Sequence, residues 1–163
     1  MKPTVTRVDV TVDVQVVCDD PVIPGPAQMQ TWVAAAIAAA GFADDAGAEV
    51  SVRVVDAEEI QALNTLYRQQ DIATTVLSFP ADPQALPAGQ PALLGDVVIC
   101  APVVRAEAEE QGKTLVSHWA HMMVHGTLHL LGYDHEADAE AVRMEGLESS
   151  ILAAHGFANP YAS

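Results

Sequence analysis

The chain has 163 residues, half of them hydrophobic, so it can bury one sizeable core but is too short to divide comfortably into two domains. Its 22 acidic residues against 7 basic ones give a formal net charge of -15, which argues against a protein that grips nucleic acid through a broad basic surface. No apolar run approaches the ~18 residues of a membrane helix, so we expect one domain over residues 1–163 in the cytoplasm, with no membrane and no DNA among its partners.

The first half of the chain predicts two strands, each followed by a helix. Valines recur at every second position from Val8 to Val16, the pattern of a half-buried strand, and Glu49 to Val55 alternates in the same way. A helix is predicted from Ala27 to Ala40. Asp56 and Glu59 then resemble a capping box, which begins a second helix. The apolar stripe of that helix consists of Ile60, Leu63, Leu66 and Tyr67.

The second half predicts two short strands and then three helices. The strands at Val76–Phe79 and Gly95–Cys100 flank a proline-rich loop. Helices are predicted for Pro102–Gln111, for about Thr114–Leu131 and for Ala137–Ala154. The whole pattern indicates an α+β fold, a small mixed four-stranded sheet packed with about five helices.

Five of the six histidines lie between positions 118 and 135. His125 and His129 are one helical turn apart, so both imidazoles can reach one ion. Gly132 ends the helix three residues later, and the turn brings His135 toward the same point. Three neutral nitrogen ligands leave a fourth position open for water, as catalytic zinc sites do. The sequence therefore predicts one Zn²⁺ per chain on His125, His129 and His135.

A rival ligand set has the same spacing. His118 and His121 lie on the same helical face, and His121 with His125 is a second pair one turn apart. The downstream trio is favoured because nothing upstream of His118 supplies a third ligand. We expect His118 and His121 to be packed inside or to support the ligands, and His155 to lie at the surface.

The block HGTLHLLGYDH, His125 to His135, resembles the signature of the YbeY family of rRNA maturation factors. Two more blocks match in the same order, LNTLYR at Leu63–Arg68 and LGDVVI at Leu94–Ile99. The resemblance implies a zincin-like metal helix and a zinc-dependent, single-strand-specific endoribonuclease. Such an enzyme acts in 3'-end maturation of small-subunit (16S) ribosomal RNA and in ribosome quality control. The implied partners are ribosomal RNA, the small ribosomal subunit, and ribosomal proteins or an assembly GTPase.

Carried over residue by residue, the resemblance makes His125, His129 and His135 the zinc ligands and Arg68 the catalytic residue that faces the substrate. Without it, Arg68 would be a solvated charge at a helix end. One block departs from the family pattern: where the family typically reads PTDVLSF, this chain reads ATTVLSF, and Thr75 replaces the aspartate. A role that depends on that carboxylate is not expected of Thr75 itself.

Two alternative functions remain at this point. A zinc peptidase would carry a glutamate beside the first histidine as general base, but Gly126 occupies that place. A glycine there allows either another segment or the substrate to approach the helix backbone closely. The second alternative is a non-catalytic ribosome assembly factor in which zinc is structural.

Overall fold

The structure is a computed structural model that describes residues 9–42, 47–82, 90–134 and 137–161. Its four strands are β1 (Val10–Val16), β2 (Ala48–Val55), β3 (Val76–Pro80) and β4 (Ala92–Cys100). They form one sheet in the order β1-β2-β4-β3, in which the first three are parallel and β3 runs antiparallel to β4. The predicted mixed four-stranded sheet is confirmed, with β3 at one edge.

The five predicted helices are also present. They are α1 (Pro26–Ala39), α2 (Ala57–Arg68), α3 (Ala101–Gln111), α4 (Leu115–Leu130) and α5 (Asp138–Ala154). Residues of α1, α4 and α5 share the main hydrophobic core with β2 and β4. Alternate residues of β4 point to the other face of the sheet, where Val98 and Cys100 join a smaller cluster with Ile60 of α2. Among the described residues, no helix is both long enough and apolar enough to cross a bilayer.

Strand β4 begins three residues earlier than the sequence predicts. Ala92 and Leu93 already pair with β2, and the register then shifts so that Val50 lies opposite Gly95. Gly95 has φ +140°, and a Cβ there would lie 2.2 Å from the carbonyl oxygen of Phe79. The glycine is therefore not the start of the strand but the residue that a bulge inside it requires. Most of the predicted proline-rich loop, residues 83–89, lies outside the described residues.

Helix α4 lies unusually close to the sheet. A Cβ at Gly126 would be 2.9 Å from Cγ1 of Val97 and 3.1 Å from Cγ2 of Val76. At the same level, the hydroxyl of Ser78 donates to the carbonyl oxygen of Gly126 at 2.8 Å. This contact fixes the histidine-bearing helix beside the edge strand β3.

Candidate metal centre and adjoining cavity

His125 and His129 lie on successive turns of α4, with their Nε2 atoms 3.1 Å apart. Two imidazole nitrogens bound to one tetrahedral zinc, each at 2.0–2.1 Å, would be separated by about 3.3 Å. Both rings are partly exposed. The pair is thus arranged as two ligands of one ion are, with an accessible side left for a third ligand and for substrate.

Glu148 of α5 lies behind His125 and is fully buried. Its carboxylate accepts hydrogen bonds from Nδ1 of His125 at 2.5 Å, from Nε2 of His121 at 3.1 Å and from the hydroxyl of Tyr161. Burial alone would raise the pKa of this carboxyl, but the hydrogen bonds from the two histidines and the tyrosine lower it to about 2. Glu148 is therefore a carboxylate, which can only accept.

The charge on Glu148 decides which nitrogen of His125 carries the proton. Because the carboxylate accepts at Nδ1, the hydrogen-bond network assigns the proton to Nδ1 and leaves the lone pair on Nε2. That lone pair is directed toward His129. A carboxylate that fixes the tautomer of a histidine ligand is a common partner of metal sites.

Two overlapping groups of side chains could hold a metal ion. His121, His125 and Glu148 offer ligand atoms that all lie within 4.8 Å of one another. The same three residues are already joined by hydrogen bonds, in which both oxygens of Glu148 take part, while Nδ1 of His121 is buried without a hydrogen-bond partner among the described residues. The His125–His129 pair is the second group, and the residue predicted to complete it, His135, lies outside the described residues.

A cavity of about 490 Å³ opens beside the histidines. His121, His125 and His129 line one wall, and Val76 and Ser78 of β3 line the other. The far end of the cavity is polar. Its lining there includes Thr75, Glu107, Gln111, Lys113 and His118.

Thr75, Glu107 and His118 form one hydrogen-bonded group at that end. The Thr75 hydroxyl donates to Oε1 of Glu107 at 2.7 Å, and Nε2 of His118 lies 2.9 Å from the same oxygen. Burial lowers the pKa of His118, although Glu107 opposes the shift. A carboxylate therefore lies beside Thr75, the position at which the sequence departs from the family pattern. His118 and His121 are both buried, as predicted, and His155 is exposed.

Arg68, the last residue of α2, lies at the outer edge of β3. Its Nη2 donates to the carbonyl oxygen of Ser78 at 3.0 Å, and its guanidinium carbon is 5.7 Å from the centre of the Phe79 ring. The side chain is exposed and does not belong to the lining of the cavity. Its hydrogen-bond partner Ser78 does line the cavity. Its predicted catalytic role stays a prediction.

At Gly126 the sheet approaches the backbone of α4 closely. The neighbours of a Cβ at this position would be Val97, Val76 and Ser78, all from the sheet. The close approach is therefore made by the protein itself. A glutamate at this position would collide with the sheet, so α4 has no room for the general base that a zinc peptidase places there.

Comparison with known proteins decides the family. Residues 23–156 match the family model described as Endoribonuclease YbeY. The chain belongs to the YbeY family. It is 56% identical over 142 residues to the Endoribonuclease YbeY of Stenotrophomonas maltophilia strain R551-3, which covers 86% of each chain. It is 49% identical over 153 residues to the one of Psychromonas ingrahamii, covering 93% of this chain and 96% of that relative.

A solved structure shares the fold. The solution structure of TM1509 from Thermotoga maritima superimposes with a TM-score of 0.55 at 22% identity, covering 88% of this chain and 91% of that one. At this identity the likeness concerns the fold alone. The family indicated by the sequence resemblance and the predicted α+β architecture are thus both confirmed.

Two carboxylates of this YbeY chain were missed by sequence reasoning, Glu107 and Glu148. Each lies in an acidic helical segment of a kind that is typical of a solvent-exposed helix face. Their partners His118 and His125 are 11 and 23 residues away, so no local spacing points to either contact. The available signal was the apolar stripe of α5, which predicts that one face of this helix is buried.

Proposed function

We propose that this chain is a metal-dependent endoribonuclease that hydrolyses phosphodiester bonds of single-stranded RNA. The observation that carries the proposal is the His125–His129 pair, with Nε2 atoms 3.1 Å apart and Glu148 behind His125, at the wall of an open cavity. Family membership supports the reaction type, because the relatives carry the name endoribonuclease. We further propose that the ion is Zn²⁺, one per chain, with His135 as the third ligand.

The residues present would each have a defined task. When bound, zinc supplies Lewis-acid activation of a water molecule and of a phosphoryl oxygen. Glu148 keeps the proton of His125 on Nδ1, so that Nε2 stays available as a ligand. Arg68 uses Nη2 for Ser78 and leaves Nε and Nη1 without a partner among the described residues. The fixed fork of a guanidinium suits a phosphate, so we assign to Arg68 the neutralisation of charge on the substrate.

We place the activity in the cytoplasm, in 3'-end maturation of small-subunit ribosomal RNA and in ribosome quality control. The support is the resemblance of three sequence blocks to the YbeY family. Ribosomal proteins or an assembly GTPase would be the partners. Such partners also suit the net charge of -15, because a protein held on the ribosome by other proteins needs less basic surface of its own.

The test combines metal analysis with RNA cleavage on the full chain. Wild-type protein is expected to contain about one zinc per chain and to cut a single-stranded RNA oligonucleotide. His129→Ala should lose both the metal and RNA cleavage, while its circular dichroism spectrum remains that of a folded protein. His155→Ala, which removes an exposed histidine away from the cavity, should keep both. Absence of cleavage by zinc-loaded wild type on single-stranded and ribosomal RNA would overturn the proposal.

One observation favours a second candidate, a non-catalytic ribosome assembly factor with structural zinc. Arg68, the residue assigned to the substrate, is exposed and outside the lining of the cavity. Zinc bound at full stoichiometry without any RNA cleavage would favour this candidate.

A further inference from the structure

The cavity beside the histidines holds a single cation among its described lining residues, Lys113. Two other cationic side chains of the described residues form ion pairs elsewhere. Arg53 pairs with Glu59, and Arg105 pairs with Asp20. In a chain with a net charge of -15, a polyanionic substrate that enters this cavity meets Lys113 as the one cationic side chain of its described lining.

The backbone holds Lys113 in a fixed place. Helix α3 ends at Gly112, whose φ is +66°, and the amide of Lys113 donates to the carbonyl oxygen of Ala108 at 2.9 Å. The next residue, Thr114, caps α4 by accepting from the amide of Ser117 at 3.2 Å. Lys113 is thus the one residue between two helix caps. The ends of the two helices therefore fix the backbone position of Lys113.

The ammonium of Lys113 is partly buried and lacks an ion-pair partner within 4 Å among the described residues. The two carboxylates whose charges act on Lys113 already have hydrogen-bond partners. Glu107 bonds to Thr75 and His118. Glu148 bonds to His121 and His125. Burial lowers the pKa of Lys113, and the charges of Glu107 and Glu148 oppose this only in part. An anion placed in the cavity would offset the part of this desolvation that the two carboxylates do not.

Lys113 enters the cavity from the turn before α4, whereas the histidines of the proposed metal centre lie further along that helix. His125 is ten residues after the first residue of α4, which corresponds to roughly 15 Å along the helix axis. Both side chains line the same cavity. This offset along α4 favours contact of Lys113 with a phosphate other than the one at the histidines.

We propose that Lys113 forms a second phosphate subsite, which binds a non-cleaved phosphate of the RNA and so aligns the strand along the cavity. This rests on the proposed RNA cleavage and adds to it a residue that touches the substrate away from the reacting atoms. A contact made equally in the ground state and the transition state affects KM and leaves kcat unchanged. Its strength depends on salt, because each phosphate contact releases counterions.

The experiment uses zinc-loaded full-length protein and a fluorescent single-stranded RNA. Lys113→Met should raise KM about fivefold to tenfold with kcat within about twofold, the loss of one charge-assisted contact. The slope of log(kcat/KM) against log salt should become shallower by about 0.7. Lys113→Arg should keep most of the wild-type KM. Should the methionine variant unfold, Lys113→Gln gives the same readout.

The matched control is Arg143→Met, which makes the same change in net charge at a separate cavity lined by Gly41, Asp134 and Glu140. It should leave KM and the salt slope unchanged. An unchanged KM in Lys113→Met, a fall in kcat alone, or an equal effect of Arg143→Met would overturn the subsite and leave RNA cleavage standing. Wild type that neither binds nor cuts the RNA would overturn both.

Discussion

At the scale of single residues, the chemistry of the proposed metal centre depends on Glu148. This carboxylate is fully buried, and it holds His121, His125 and Tyr161 by hydrogen bonds. Replacing it changes no predicted ligand of the metal. It does change which nitrogen of His125 is protonated, and with it the affinity of the site.

Glu148→Gln is expected to weaken zinc binding by about 10- to 100-fold. A glutamine offers one acceptor oxygen in place of two and adds a donor facing the histidines. The affinity is measured by competition with a chromogenic chelator. Glu107→Gln is the control, because Glu107 also bonds a histidine, His118, that lies outside the predicted ligand set. Equal weakening in both variants would contradict the role given to Glu148.

Arg68→Ala should lower kcat for RNA cleavage by about 100-fold, the effect of removing one donor to a transition-state charge. The free energy of unfolding should hardly change, because the side chain is exposed. Arg68→Lys should restore only part of the rate, since an ammonium lacks the planar fork. Arg143→Ala serves as the control. Full cleavage by Arg68→Ala would remove Arg68 from the mechanism.

The histidine pair and Arg68 could be singled out from the sequence, while the two carboxylates could not. Two histidines four residues apart on one helix need no tertiary information. Glu148 becomes a partner of His125 only after α5 packs on α4. Arg68 was singled out by resemblance, and its hydrogen bond to Ser78 depends on the edge position of β3.

At the scale of secondary-structure elements, the position of α4 against the sheet depends on Gly126. Gly126→Ala should destabilise the protein by about 1–3 kcal/mol, despite the better helix propensity of alanine, because the added methyl would overlap Val97 and Val76. Urea unfolding at equilibrium measures the change.

Gly146→Ala is the matched control, in the interior of α5. A Cβ at Gly146 meets nothing within 4 Å, so this variant should gain about 0.5–1 kcal/mol. A stabilised Gly126→Ala would contradict the close packing of α4 on β3 and β4.

An ion pair connects the segment after β1 to α3. Asp20 accepts from Arg105 and from the amide of Val22. Burial raises the pKa of Asp20, but these hydrogen bonds outweigh burial and hold the pKa below its ordinary value of 3.8. A lowered pKa means that the stabilisation is present above pH 3.8 and is lost as the pH falls through the folded-state value.

Asp20→Asn should therefore lower the urea midpoint at pH 7, and its difference from wild type should shrink as the pH falls below 3.8 and vanish below the folded-state pKa of Asp20. Asp19→Asn, at an exposed neighbour, should match wild type throughout. A difference between Asp20→Asn and wild type that grows in acid would show the opposite linkage.

At the scale of the whole molecule, the sequence predicts which elements exist better than how they are arranged. The valine alternation and the helix stop signals predict four strands and five helices, and all are present. The strand order and the antiparallel direction of β3 depend on long-range pairing, which no local pattern encodes. The early start of β4 follows from a bulge at Gly95. One domain over residues 1–163 stays a prediction.

The central claim is that one ion binds at the His125–His129 pair, and calorimetric titration of zinc into metal-free protein tests it most directly. Wild type and His121→Ala should each bind about one zinc per chain, while His129→Ala should bind at least about 100-fold more weakly. No binding by wild type would contradict the claim. Full binding by His129→Ala with loss in His121→Ala would place the ion among His121, His125 and Glu148 instead.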